Sequence, residues 1–350
     1  MSTFYRRYFD SYTQQRLPEY MLAHQLETSP DFEINDETTL EQLWEEHQRL
    51  LPIFRELREK TNSKKRISFL ELKRQIAHRI ALKCRFCELK CGKNRKTSIG
   101  NCHAQETRIS AFFTHEGDEE EIKPSLTIFF TGCNFGCIHC QNWPLKNGKA
   151  GKYTSPQKMA KLIISFIKKE PTLKNIHFLG GEPSLHIPYI LDFLTCIVYL
   201  SILYPEVSKL PMVFDSNMYY TKETSLLLDG ITDSMIADLK YGNNKCCKEI
   251  SRRPRYMQIV GRNIKEAQNF CFLIVRHLAL PHHIDCCLEP CTKWFAENMR
   301  NDVRYHITFQ YHPDHLAKEV EELAKEIDET EREKATQIVQ KYNIQSLSID

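Results

Sequence analysis

An α/β fold around a parallel sheet is predicted by three observations in this 350-residue chain. Short apolar runs recur after residue 123, amphipathic helical segments separate them, and polar or glycine-rich motifs close several of the runs. Strands that alternate with helices imply a parallel sheet with right-handed crossovers. In such sheets functional groups collect beyond the carboxyl ends of the strands.

Six strands are predicted: Leu126 to Phe130, Ile176 to Leu179, Met212 to Phe214, Met235 to Leu239, Phe272 to Leu278 and Val303 to Phe309. Between the first two, Met159, Leu162, Ile163, Phe166 and Ile167 fall at helical spacing behind Ser155 and Pro156, a cap followed by a first-turn proline. Further helices are expected at Tyr189 to Tyr204 and Thr224 to Asp229.

The first 83 residues contain no glycine. Leu40, Leu43, Trp44 and His47 share one helical stripe, with Thr38 and Glu41 as a capping box and Pro52 expected to kink or interrupt the helix. A second box, Ser68 with Glu71, opens a helix carrying Leu72, Ile76 and Ile80, which delivers the chain to Cys84. Amphipathic stripes are usually core, so this leader is expected to pack on the main body. Beyond Pro313 a charged helical tail is expected, with Leu316, Val320, Leu323 and Ile327 on its apolar face.

Hydrophobic residues make up 41% and charged residues 27%, which excludes disorder for most of the chain. A formal net charge of +3 is too near balance to imply nucleic acid or a membrane. The longest apolar segment, Tyr189 to Tyr204, includes Asp192 and falls short of the roughly 20 residues of a span. The first thirty residues lack a continuous apolar block, so a cytoplasmic location is expected.

Cysteine is the unusual component. Fourteen occur, and seven lie between positions 84 and 140. Regular spacing in a long chain without a signal sequence points to metal or cluster ligation, not to a disulfide framework. Directly after the first strand stands Cys133-Asn-Phe-Gly-Cys137-Ile-His-Cys140. A cubane cluster ordinarily takes four thiolates, so three compact ligands leave one iron open for a substrate or cofactor. Zinc completed by His139 is the alternative, although a histidine adjacent to Cys140 is poorly placed to close a tetrahedron.

The segment from Thr131 to Trp143 resembles the cluster loop of the radical S-adenosylmethionine (SAM) superfamily, and most of all that of proteins related to pyruvate formate-lyase activating enzyme. The similarity runs from about Cys84 to His312, and the helical leader resembles that of archaeal members. Gly180-Gly181-Glu182-Pro183, at the end of the second strand, is similar to the superfamily's GGE motif, which contacts the amino group of SAM. The resemblance implies a partial (β/α)6 radical SAM barrel over 123–313. A helical N-terminal region over 1–83, a cysteine-rich segment over 84–122 and a C-terminal helical tail over 314–350 complete the chain.

It also implies a [4Fe–4S] cluster on Cys133, Cys137 and Cys140, and SAM cleaved to methionine and a 5′-deoxyadenosyl radical. A low-potential electron donor such as a ferredoxin or flavodoxin is implied with them. Ser216, Asn217, Asp238, Lys240, Arg276 and His277 are candidates for holding ribose, carboxylate or substrate, with Asp238, Lys240 and His277 the catalytic candidates. Gly180, Gly181, Glu182 and Pro183 are cofactor-binding candidates. His139 stands where the family often has an aromatic residue near adenine, and Gln310 and His312 follow the sixth strand.

Upstream, Cys84, Cys87, Cys91 and Cys102 form a complete quartet that suits either tetrahedral zinc or a second cubane. Auxiliary clusters of glycyl-radical activators usually follow the SAM loop, whereas this quartet precedes it. Cys246, Cys247, Cys286, Cys287 and Cys291 form looser groups that read as buried free thiols, and Cys196 and Cys271 as core positions. Lys146 to Lys174 carries eight lysines and one acid, a solvated face or a docking site for an acidic protein. The expected function is radical modification of a protein or peptide, with glycyl-radical activation as the family-level guess. A small-molecule or RNA substrate, and a zinc-stabilised interaction protein, are the alternatives.

Overall fold

The computed structural model describes residues 3–56, 67–117 and 119–350. Nine strands form one sheet: β1 (Arg108–His115), β2 (Ser125–Phe130), β3 (Lys152–Tyr153), β4 (Asn175–Gly180), β5 (Met212–Ser216), β6 (Ser234–Asp238), β7 (Phe272–Leu278), β8 (Arg304–Thr308) and β9 (Leu347–Ile349). Their order is β3-β1-β2-β4-β5-β6-β7-β8-β9. From β2 to β9 every neighbour is parallel, while β1 runs antiparallel to β2 and β3. The six predicted strands are the parallel set β2, β4, β5, β6, β7 and β8, within two residues at each end. The architecture is a partial α/β barrel.

Helices follow β4, β5, β6 and β7 and cover the outer face. Pro156–Lys169 is capped by Ser155, whose side chain accepts from the Lys158 amide. Ile187–Leu200 replaces the longer helix expected to Tyr204. Among the described residues one helical stretch, Pro183–Leu200, is long and apolar enough to cross a membrane, and 67% of it is buried inside the fold, as in a core helix.

The leader's four helices pack on the barrel and on one another. The capping box of the helix Leu40–Glu56 is Thr39 with Gln42, one residue later than expected: Gln42 N donates to Thr39 Oγ1 and Thr39 N to Gln42 Oε1. Pro52 does not interrupt this helix, which continues to Glu56. The helix Phe69–Leu82 begins at Ser68, which accepts from Glu71 N as expected. Lys73, fully buried on it, donates to Leu226 O at 2.8 Å and so ties leader to barrel. At the amino ends of the strands Tyr8 enters the barrel among Val213, Ile236, Phe272 and Ile274, and its hydroxyl accepts from Asn175 Nδ2 at 2.9 Å.

The cysteine-rich segment 84–122 also contributes β1. One further expectation is corrected. The apolar stripe from Leu316 to Ile327 is not one helix. It passes through two short 3-10 turns, and the tail helix Glu329–Gln340 starts at the Asp328 cap before the chain ends in β9.

Candidate active site

At the carboxyl ends of the barrel strands lies a cavity of about 430 Å³. Its cysteines are Cys133, Cys137 and Cys140, from the loop after β2. Alternation along the strands turns every second residue inward, which places Asp215, Asp238 and Arg276 on the cavity wall. Lys240 stands just beyond β6 and Gln310 just beyond β8.

The loop is held by its own backbone and by the segment after β6. Gly136 N donates to Ser251 O at 2.9 Å and Ile138 N to Ile250 O at 3.0 Å. A Cβ at Gly136 would meet Ser251 O at 3.2 Å, so the close approach of the two segments favours glycine. Phe135 N donates to Cys133 Sγ at 3.4 Å, Ser251 Oγ to Cys137 Sγ at 2.8 Å, and Asn217 Nδ2 to Cys133 Sγ at 3.8 Å. Donors aimed at sulfur are the surroundings a ligating thiolate needs. Burial and the nearby Cys137 push the Cys133 thiol up, and Cys140 likewise to about 11. Cys133 and Cys140, which resist ionisation on their own, gain from a cationic centre beside them, and the three-thiol donor set fits a cubane with one open iron.

The GGE segment forms the facing wall. A Cβ at Gly181 would lie 2.0 Å from Gly132 O, and Gly180 has φ +117°, so both positions demand glycine where β4 crosses the end of β2. Glu182 N donates to Gly132 O at 3.0 Å. The Glu182 carboxylate is engaged by the chain itself: Ser216 Oγ donates at 2.8 Å, Asn217 N at 2.8 Å and Ser184 N at 3.1 Å. It therefore joins the β4 and β5 ends and leaves the Gly180 and Gly181 backbone facing the cavity. Ser216 and Pro183 are buried behind it and do not line the cavity.

Arg276 organises the floor. Its guanidinium donates to both Asp215 oxygens at 2.9 and 2.8 Å, to Asp238 Oδ1 at 3.0 Å and to Glu119 Oε1 at 3.5 Å. Lys240 Nζ donates to Asp238 Oδ2 at 2.6 Å. Burial pushes Asp215 up to about 7 even beside Arg276. Burial also works against charge on Asp238, but Arg276 and Lys240 hold it below its usual value. Burial is likewise outweighed at Glu119, where the bond from His306 and the charge of Arg276 bring it down to about 2.

His139 lines the cavity with Nε2 3.2 Å from the Tyr241 hydroxyl, and burial lowers it to about 3, so it is a neutral ring at working pH. His277 is not a cavity residue. It follows the inward Arg276, faces outward, and its Nδ1 lies 2.6 Å from Leu239 O, which removes it from the catalytic candidates. His312 is paired with Glu326 outside the cavity. Glu119 was not anticipated. In the sequence it is one of several consecutive acids and resembles a solvated run, yet it is only 6% exposed.

Cys84, Cys87, Cys91 and Cys102 surround one small void behind the β5 loop. Arg95 Nε donates to Cys84 Sγ at 3.1 Å, and Cys87 bridges to Tyr220.

A parallel partial barrel with a three-thiol loop at its mouth defines an iron–sulfur enzyme. Residues 127–295 match the family described as "Radical SAM superfamily". An uncharacterized protein of Methanocaldococcus jannaschii is 37% identical over 287 residues, covering 79% of this chain and 80% of that protein. Streptococcus suis SuiB bound to S-adenosylmethionine matches at 16% identity and TM-score 0.42, over 62% of this chain and 48% of that one. A domain of pyruvate-formate lyase-activating enzyme from Bacteroides vulgatus matches at 16% identity and TM-score 0.37, over 50% and 98%. The chain belongs to the radical SAM superfamily, and with that membership come its cofactors, a [4Fe–4S] cluster and SAM.

Proposed function

We propose that this enzyme generates a radical from SAM and uses it on a protein or peptide, with a glycyl-radical-type partner as the specific case. When bound, the cluster and SAM together supply a 5′-deoxyadenosyl radical that abstracts hydrogen from carbon. The observation that carries the reading is that Cys133, Cys137 and Cys140 share one cavity with the Gly180–Gly181 backbone and the charged floor.

In this reading Cys133, Cys137 and Cys140 hold the cluster, with Ser251 and Asn217 oriented on its sulfurs. The Gly180, Gly181 and Glu182 wall receives the amino group of SAM, while Ser216 and the Asn217 amide fix the Glu182 carboxylate. Lys240, the outermost cation of the floor network, meets a carboxylate, and Asp238 keeps its ammonium in place. Neutral His139 offers a flat face to a base. Asp215 and Arg276 keep the floor charged and closed, which restrains the substrate carbon and limits stray donors.

A polypeptide substrate is supported by the rim. Gln141, Asn142, Trp143 and Pro144 are exposed beside the cluster loop, and Trp143 stacks on His315. Lys149, Lys152, Lys158, Lys161, Lys168 and Lys169 are exposed along the adjoining segment, a surface suited to an acidic partner or electron donor. The quartet serves as a structural zinc or second cluster in the same scheme. The test is anaerobic reconstitution, reduction with dithionite and chromatography for 5′-deoxyadenosine, with Cys137→Ala as control. Product from wild type and none from the variant supports the proposal. A fully loaded wild-type cluster that yields none rejects it, and turnover of a soluble metabolite or RNA without a protein partner rejects its substrate class.

A further inference from the structure

The structure assigns a second set of thiols, far apart in sequence, to one point beside the cluster loop. Cys246 Sγ and Cys286 Sγ lie 3.7 Å apart, Cys286 Sγ and Cys287 Sγ 4.0 Å apart, and all three within 4.8 Å of one another. We propose that Cys246, Cys286 and Cys287 hold a single zinc ion. Zinc bound to sulfur at about 2.3 Å in a tetrahedron requires sulfurs about 3.8 Å apart, and the two Cys286 pairs stand at 3.7 and 4.0 Å. The thiolates of a cubane sit on separate irons and stand farther apart, so this group suits one ion and not a cluster. Three soft thiolates select zinc over magnesium or calcium.

The surroundings fit ligation. Asn243 Nδ2 donates to Cys246 Sγ at 3.2 Å and to Cys286 O at 2.7 Å, while Asn243 Oδ1 accepts from Cys246 N at 2.8 Å. One side chain thus orients both ligand-bearing segments, as partners behind a metal site do. Cys291, four residues beyond Cys287, is fully buried and stands outside this group, its thiol donating to Leu239 O at 3.7 Å. Both segments contain a π-turn, Cys247–Ser251 and Ile284–Leu288, an irregularity that gathers at functional positions.

The site has a mechanical consequence. Cys246 opens the turn whose end, Ile250 and Ser251, carries the hydrogen bonds to Gly136, Ile138 and Cys137. An ion shared with Cys286 and Cys287 clamps that turn to the loop after β7, so it braces the catalytic loop without entering the cavity. The ion can be read out without turnover of the radical reaction.

The test uses wild type and Cys286→Ser, a substitution at a half-exposed position that changes little packing. Zinc is counted by elemental analysis, and sulfur neighbours by X-ray absorption at the zinc edge. Wild type is expected to hold one more zinc per chain than Cys286→Ser at equal iron, with three sulfur neighbours at that zinc, and the variant is expected to lose its catalytic cluster faster under a chelator. Equal zinc in both proteins overturns the proposal. So does loss of iron instead of zinc, or a Cys246–Cys286 disulfide found by mass spectrometry of anaerobically purified protein.

Discussion

Arg276→Met removes the cation shared by Asp215, Asp238 and Glu119, three carboxylates that are buried or nearly so. Breaking a buried ion pair from one side costs about 3–5 kcal/mol, because the abandoned charge keeps its desolvation penalty. Unfolding entropy of about 2 cal/mol/K per residue turns that into a fall of roughly 4–7 °C in Tm for a chain of this size. The loss also depends on pH in a definite direction. Asp215 already stands at about 7 with Arg276 present, and without it moves higher. A carboxyl raised on folding stabilises when protonated and loses that contribution as pH rises through its folded value. Wild type has completed this loss near pH 7, whereas the variant continues to lose up to about 1.4 kcal/mol per pH unit above it. Anaerobic thermal melts at pH 7 and pH 9 measure both effects, and adding Asp215→Asn to the variant should restore part of the loss. A Tm change below 1 °C, or a deficit that does not grow with pH, would refute the reasoning.

Glu119 is lowered to about 2 on folding, so its contribution, on the order of 3 kcal/mol, is present above its ordinary value and is lost as pH falls toward 2. Urea midpoints of wild type and Glu119→Gln should therefore differ most at pH 5, by about half as much at pH 3, and converge only near pH 2. In Gly181→Ala the new methyl meets backbone at 2.0 Å, which moves the rim, costs about 1–3 kcal/mol and should weaken SAM binding at least about tenfold by equilibrium dialysis. Cys84→Ala should lower the metal content of the quartet and the Tm while SAM cleavage persists, and unchanged metal content contradicts a ligating role.

The barrel strands were legible because strands buried on both faces are continuous apolar runs, as in Leu126 to Phe130 and Phe272 to Leu278. The outer strands were not. β1 exposes alternate residues along an antiparallel partner, and β3 and β9 are two and three residues long, too short for a pattern. Pro52 misled because helical packing retained it inside the helix. At the site, local spacing revealed Cys133, Cys137 and Cys140, whereas His277 was misplaced because a one-residue step along β7 reverses the face it shares with Arg276. Groups assembled from distant segments left no local signal. Glu119 reaches Arg276 across 157 positions, and Cys246 meets Cys286 across 40.

The vacant coordination position on the cluster is tested most directly by electron–nuclear double resonance on the reduced, reconstituted enzyme, with SAM labelled by nitrogen-15 at its amino group and oxygen-17 at its carboxylate. Couplings from both labels to the cluster in wild type are predicted. Their absence from a fully loaded sample, with a protein side chain on the fourth iron instead, contradicts the account.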